Sequence, residues 1–184
     1  MEYSNQRDGK FEFIETGNHH QPILMALHGL FGGLSNFGAI IKHFAKHYNV
    51  VVPVLPMFEL PLRKVSVSGL VDHLAEFIQY RDYRNINILG NSLGGHVAIL
   101  YALKTQERLA SITLTGSSGL FESAMGNTFP KRNNRDFIRQ KVESTFYSPA
   151  IATDELVDEV FDIVSDRNKG LRIIMTAKSA VRHN

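Results

Sequence analysis

The sequence predicts an α/β fold: a mostly parallel, doubly wound sheet followed by the start of a helical lid. Three observations carry that expectation. Short apolar or valine-rich runs alternate with helical patterns between Phe11 and Thr115, and alternation at these intervals implies right-handed crossovers, parallel pairing and helices on both faces. Glycine-rich turns follow two of the runs, after Leu27 and after Leu89, which puts both at the edge formed by the strand C-termini, where such sheets bind ligands. After about Gly119 the strand signals stop and three helical patterns follow.

Taken in order, Phe11 to Thr16 alternates apolar and polar residues as a half-buried strand, and Gly17-Asn18-His19-His20 ends it as a turn. Pro22 to Leu27 is a short apolar run that stops at His28-Gly29. Phe37, Ile40, Ile41 and Phe44 share one helical face, with Ser35 or Asn36 placed to cap its start. The valine-rich stretch Asn49 to Leu55 returns to strand, and Pro53, Pro56 and Pro61 then restrict Pro56 to Val65 to a loop. Leu70, Val71, Leu74, Phe77 and Ile78 mark an amphipathic helix, Asn85 to Leu89 a strand, Val97 to Leu103 a buried helix, and Ala110 to Thr115 a further strand ended by Gly116-Ser117-Ser118-Gly119.

Leu120 to Arg135 reads as a polar connector, and Phe137 to Phe146 as a helix broken by Pro149. Leu156, Val157, Val160, Phe161 and Val164 form another helical face with Thr153 as its cap, and a last apolar patch runs from Leu171 to Ala180. The expected organisation is a core over residues 1–119 and a helical lid segment over 120–184.

Composition narrows the functional classes. Of 184 residues, 43% are hydrophobic, enough to bury a substantial core in one domain. Twenty basic against eighteen acidic side chains leave a formal charge of +2, too even for a broad nucleic-acid footprint. With no cysteine there is no disulfide, thiolate metal site or thiol nucleophile. The N-terminus is polar where a secretory signal would be basic and then apolar, and no apolar stretch is long enough to span a bilayer. A soluble cytoplasmic protein acting on a small molecule, with no membrane or nucleic-acid partner, is the resulting expectation. No metal-ligand spacing stands beside the glycine turns, and the turn after Leu27 lacks both the lysine of a P-loop and the spacing of a dinucleotide fingerprint, so neither metal nor cofactor is expected.

The chemistry concentrates at Gly90-Asn91-Ser92-Leu93-Gly94, a Gly-x-Ser-x-Gly sequence lying between a strand and a helix. A strand turning sharply into a helix crowds its own backbone, so Gly90 and Gly94 leave room for a strained apex that presents the Ser92 hydroxyl. The earlier turn, His28-Gly29-Leu30-Phe31-Gly32-Gly33, lets backbone N–H groups approach a ligand closely. Acyl transfer at Ser92 creates an oxyanion, whose two donors are assigned to the amides of Leu30 and Leu93. His28 and Gly29 support that loop, His28 through hydrogen bonds.

From about Phe11 onward, these two motifs in their strand-end settings resemble the α/β-hydrolase superfamily, in the branch that carries a helical lid after the sixth strand. Gly90-Asn91-Ser92-Leu93-Gly94-Gly95 with Ser35-Asn36-Phe37 is similar to carbon–carbon bond hydrolases of ring-cleavage products, and His28-Gly29-Leu30-Phe31-Gly32 equally to small carboxylesterases. The chain departs from the usual pattern at Val52 to Glu59, which has Val54 in place of an aspartate and Met57 to Glu59 in place of a glycine-rich turn. The resemblance implies an acid after the seventh strand and a histidine after the eighth. No Asp or His of this chain matches either position, so the last strands and the proton-transfer partners of Ser92 are expected beyond Asn184, leaving this chain alone inactive and its open sheet edge prone to association.

Other candidates have ordinary readings. His96 is expected to pack or line the pocket rather than act as base, His19 and His20 to lie in a turn, and His43, His47 and His73 on helix surfaces. Glu122 reads as a solvated connector residue rather than a substitute acid. Arg167 is either an exposed helix-end residue or a lid residue for a substrate carboxylate, and Lys131, Arg132 and Arg135 form a solvated lid surface. Three functions fit: a serine hydrolase acting on an ester or activated carbonyl through an acyl-enzyme, a carbon–carbon bond hydrolase, or a noncatalytic binding or scaffold protein.

Overall fold

The computed structural model describes residues 4–30, 37–120 and 133–183. Six strands, β1 (Gln6–Asp8), β2 (Phe11–Thr16), β3 (Ile23–Leu27), β4 (Asn49–Pro53), β5 (Ile86–Asn91) and β6 (Leu109–Thr115), form one sheet in the order β1-β2-β4-β3-β5-β6. β4, β3, β5 and β6 are mutually parallel, and β1 and β2 add two antiparallel strands at one edge. The mostly parallel sheet agrees with expectation. The strand β1 was not among the expected elements: in the polar N-terminal stretch Gln6, Arg7 and Asp8 pair with Phe13, Glu12 and Phe11.

Side-chain alternation divides the apolar residues between the two faces of the sheet. Phe11, Phe13, Met25, Leu27, Val51, Ile86 and Ile88 enter the larger core, beneath α2 (Val67–Tyr80) and α3 (Leu93–Lys104). Ile14, Ala26, Val50 and Val52 enter the opposite core with Phe37 and Ile41, covered by α1 (Gly38–Phe44). Helix α2 buries Val67, Leu70, Val71, Leu74, Phe77 and Ile78 along one stripe, and its start is capped by the Ser66 hydroxyl, which accepts a hydrogen bond from the Gly69 amide. Such a cap is worth about 1 kcal/mol. The first six residues of α3 are all buried, but the burial expected over Val97 to Leu103 does not extend to the end of the helix, where Leu103 is 74% exposed.

Several local expectations need correction. The strand predicted to reach Leu55 ends at Pro53, although the Val54 amide still donates to the Glu12 carbonyl of β2 (2.8 Å). The Pro56–Val65 loop contains a short 3-10 turn at Leu62–Lys64. Ser35 and Asn36, the expected caps of α1, lie outside the described residues, and the residue before α1 is Phe37, without a side-chain cap. His73, expected on the helix surface, is half-buried on α2. Its ring packs tilted against Phe11, centroids 5.1 Å apart, and burial, with the Lys10 charge nearby, lowers its pKa to about 4.

After β6 come α4 (Arg135–Glu143), α5 (Asp154–Ser165) and α6 (Arg167–Ala180). Their starts are capped by Asn134, Thr153 and Asp166, the last accepting from both the Asn168 and Lys169 amides. The three helices share an apolar cluster of Ile138, Val142, Val157, Val160, Val164 and Ile173. Arg135 bridges Asp154 and Asp158, and Arg139 also pairs with Asp154. These pairs are solvent-exposed and individually weak. Two side chains, Leu30 and Phe58, pack against both this cluster and the main core.

At the sheet end where β4 and β5 begin, Glu15 is nearly fully buried. It accepts hydrogen bonds from Asn49 Nδ2 (2.8 Å), Arg81 Nη2 (2.7 Å) and the Tyr83 hydroxyl (2.9 Å). Arg81 also binds Asp8, which fastens β1 to the end of α2. Among the described residues no helix is long and apolar enough to cross a membrane.

Candidate active site

The strand order reverses at β3, which connects toward β4 on one side while β5, on its other side, connects away to β6. The loops leaving β3 and β5 therefore diverge and open a crevice at the strand C-termini, the place where such sheets bind ligands. Leu27 is paired with Gly90, so Gly29 and Ser92, two residues further along each strand, stand side by side.

Ser92 is the apex of the turn between β5 and α3. Its backbone has φ 52° and ψ −118°, a conformation that favours glycine and costs other residues about 1–3 kcal/mol. The surroundings hold it there. The Ser92 amide donates to the Thr115 carbonyl (3.1 Å), and the Ser92 carbonyl accepts from the amides of Gly95 (3.0 Å), His96 (3.2 Å) and Ser118 (3.2 Å). Asn91 Nδ2 donates to the carbonyl (3.0 Å) and hydroxyl (3.2 Å) oxygens of Thr115, so the turn is strapped to the end of β6 on two consecutive residues.

Close approach explains the glycines around this apex. A Cβ on Gly94 would stand 2.1 Å from the Leu27 carbonyl oxygen, because the first turn of α3 lies directly on the end of β3. A Cβ on Gly29 would lie 3.1 Å from Ser92 Cβ, tight contact between the two loops. Gly90 is crowded in the same way by the backbone of Gly94 and Gly95.

Leu93 is the first residue of α3, whose early amides have no intrahelical acceptor. Among the described residues, neither the Leu30 nor the Leu93 amide has an acceptor. The N-terminal end of α3 adds its partial positive charge at Leu93. Chemically, a strained serine at a helix N-terminus is an arrangement suited to an oxygen that gains negative charge.

His28 is locked on both ring nitrogens. The Leu55 amide donates to Nε2 at 3.0 Å, which leaves the proton on Nδ1, 2.9 Å from the Gly29 carbonyl. Burial lowers its pKa, opposed by the Gly29 hydrogen bond, so the ring is neutral at pH 7. It ties the loop after β3 to the segment after β4. His96 is fully buried in α3, where Gly119 packs against its ring: a Cβ on Gly119 would meet the imidazole at 2.5 Å.

Phe31, Gly32, Gly33, Glu122, Lys131 and Arg132 lie outside the described residues. Arg167 is exposed at the start of α6, and Arg135 is held in the surface ion pairs. His19, His20, His43 and His47 are exposed, His19 within 3.4 Å of Glu15. Sequence reasoning passed over Thr115, Ser118 and Leu55, which brace the turn and the loop. The signal for Ser118 was present in Gly116-Ser117-Ser118-Gly119, a strand-ending turn at the same sheet edge.

A family model described as alpha/beta hydrolase fold matches residues 22–161. The chain belongs to the alpha/beta hydrolase fold family. Among solved structures, this hydrolase-fold chain is similar to MGS-MChE2, an alpha/beta hydrolase enzyme from the metagenome of sediments of the Mar Chica lagoon, Morocco. The two are 37% identical with a TM-score of 0.75, over 98% of this chain and 67% of that one. It shares its fold with 2-hydroxy-6-oxo-6-phenylhexa-2,4-dienoate hydrolase from Rhodococcus sp. strain RHA1, at TM-score 0.80 and 23% identity, over 97% and 72% of the two chains. Monoacylglycerol lipase ABHD6 of Mus musculus is 25% identical over 139 residues, 72% of this chain and 41% of that protein. The chain spans under half the length of the first curated relatives it matches.

Proposed function

We propose that the chain is the nucleophile-bearing part of a serine hydrolase that cleaves an ester or activated carbonyl of a small molecule. The observation that carries this is the Ser92 backbone at φ 52°, ψ −118°, held at the topological switch point with Gly29 of the neighbouring loop against it. A strained apex kept in place by several hydrogen bonds from neighbouring segments is characteristic of sites where the geometry serves chemistry. Membership of the hydrolase-fold family, with a lipase among its curated relatives, supports the same reading.

In the proposed reaction the Ser92 oxygen bonds to the acyl carbon while the carbonyl electron pair moves onto oxygen. The Leu30 and Leu93 amides donate to that oxyanion, stabilisation of a kind worth about 3 kcal/mol per donor. The hydroxyl proton passes to a base and then to the leaving oxygen, and water resolves the acyl-enzyme. His28 is unsuited to be that base, because Nε2 already accepts from the Leu55 amide. His96 is unsuited because its ring is fully buried, with Gly119 packed against it. The histidine and acid are therefore proposed to come from sequence after Asn184, with α4–α6 as part of a lid over the crevice. Without them Ser92 is an unactivated hydroxyl, and the 184-residue chain alone hydrolyses esters very slowly.

The experiment is hydrolysis of short-chain aryl esters by the protein in its full length, with Ser92→Ala as control. A burst of leaving group equal to the enzyme concentration, abolished by Ser92→Ala, is the expected result. Turnover of vinylogous diketones at least as fast as the esters would move the assignment to carbon–carbon bond hydrolysis. Retained ligand binding with no turnover by the folded protein would replace it with a noncatalytic role.

A further inference from the structure

The hydrolase reading leaves unexplained why the segment after β4 is fastened at so many points. Leu55 donates its amide to His28 Nε2 (3.0 Å). Five residues later the Leu60 carbonyl accepts from Arg172 Nη1 of α6 (2.5 Å), and Lys169 of the same helix lies 5.8 Å from the centre of the Phe58 ring. At the far end, the Val67 amide donates to the Ser179 hydroxyl of α6 (2.9 Å), which itself donates to the Thr176 carbonyl (2.7 Å). One helix thus holds residues 58–67 along its length, while the start of the segment holds the imidazole that sets the loop after β3. Leu30 and Phe58, which pack against both apolar clusters, lie on the same route.

We propose that Arg172 is a positioning residue for the oxyanion loop, acting from α6 through the Leu60 carbonyl, the Leu55 amide and His28 to the backbone of Gly29 and Leu30. The proposal rests on the hydrolase reading for its functional meaning, and on the hydrogen bonds alone for the coupling itself. Its physical basis is directional. A carbonyl fixed by a guanidinium keeps residues 56–60 in one course, and the two intrasegment bonds from Met57 N to Leu55 O (2.8 Å) and from Leu60 N to Pro56 O (3.0 Å) make that stretch a short rigid strap. Released at Leu60, the strap lets the Leu55 amide leave Nε2. His28 then has no fixed tautomer, and the Gly29 carbonyl loses its defined donor. The Leu30 N–H belongs to the same planar peptide as the Gly29 carbonyl and turns with it. The segment is also where the chain departs from the usual pattern of the resembled family, at Val54 and Met57 to Glu59.

Two readouts on the protein in its full length test this. Amide hydrogen exchange at Leu55 is compared between wild type, Arg172→Met and Arg172→Lys, with Met25 and Ile88 in β3 and β5 as internal references. The rate of Ser92 labelling by a fluorophosphonate is measured on the same proteins. Arg172→Met is expected to raise Leu55 exchange about tenfold with the references unchanged and to slow labelling about tenfold, with Arg172→Lys restoring both in large part. Unchanged Leu55 exchange in Arg172→Met overturns the coupling, as does a rise matched by equal rises at Met25 and Ile88, which is general destabilisation. Faster exchange with an unchanged labelling rate overturns the positioning role. A wild type that does not label refutes the hydrolase reading, while the exchange comparison still decides the coupling.

Discussion

Replacing Ser92 by glycine removes the hydroxyl and yet is expected to stabilise the fold relative to replacing it by alanine. The two variants lose the same chemistry and differ in what the backbone asks of them. At φ 52°, ψ −118° the residue has the dihedral angles of the first central position of a type II′ turn, where glycine is preferred. A side chain there costs about 1–3 kcal/mol, and alanine, with its Cβ, keeps that cost. Glycine removes it at the expense of about 0.5–1 kcal/mol of extra chain entropy in the unfolded state. The Thr115, Gly95, His96 and Ser118 hydrogen bonds involve only the Ser92 backbone amide and carbonyl and survive in both variants. The net expectation is that Ser92→Gly is more stable than Ser92→Ala by about 1 kcal/mol, or about 2–4 °C in Tm for a chain of this size. Urea unfolding of the two variants at one pH measures the difference. Equal stabilities, or an advantage for alanine, would show that the turn relaxes around the side chain and that Ser92 is not held under strain.

Gly94→Ala is expected to destabilise by about 3 kcal/mol, because its Cβ meets backbone at Leu27 rather than a side chain able to move; a urea shift under about 0.5 kcal/mol would contradict the packing of α3 on β3. Glu15→Ala, which leaves Arg81 and Tyr83 facing a buried gap, should cost about 3 kcal/mol in the same assay. The pH dependence of stability should carry the signature of His73. Its folded pKa of about 4 lies below the ordinary 6.5, so between those values the unfolded chain holds a proton that the folded one lacks. Stability therefore falls as pH drops from about 6.5 toward 4, by up to about 1.4 kcal/mol per pH unit, with neutral His28 adding in the same direction. His73→Phe, which keeps a ring against Phe11, should flatten the part of that slope due to His73, and an unchanged profile of Tm against pH would remove His73 as its source.

Strands β2 to β6 were legible because each carries its own signal, alternation in Phe11 to Thr16, an apolar run in Ile23 to Leu27 and valine enrichment in Asn49 to Pro53. The helix faces were legible for the same reason, since their apolar positions recur at local spacing. Strand β1 was not, because three polar residues have no period and are held from outside, by β2 and by the contacts of Asp8 with Tyr80 and Arg81. Glu15 misleads in a related way: it occupies the polar phase of an alternating strand, which normally faces water, but its partners come from 34, 66 and 68 residues away. At the site, Ser92, Gly90, Gly94 and the His28-Gly29 loop could be singled out from motif and strand-end position alone. The bracing by Leu55, Thr115 and Ser118 could not, because which loops meet at a sheet edge depends on strand order. The half-burial of His73 was not legible because its ring packs against Phe11, a residue of a different element.

The central claim, that Ser92 is the nucleophile of a hydrolase site, is tested most directly by fluorophosphonate treatment of the protein in its full length, followed by peptide mapping. The account predicts one adduct per chain, on Ser92, and none on the Ser92→Ala or Ser92→Gly variants. A folded protein that takes up no label, or carries it on another residue, would contradict it.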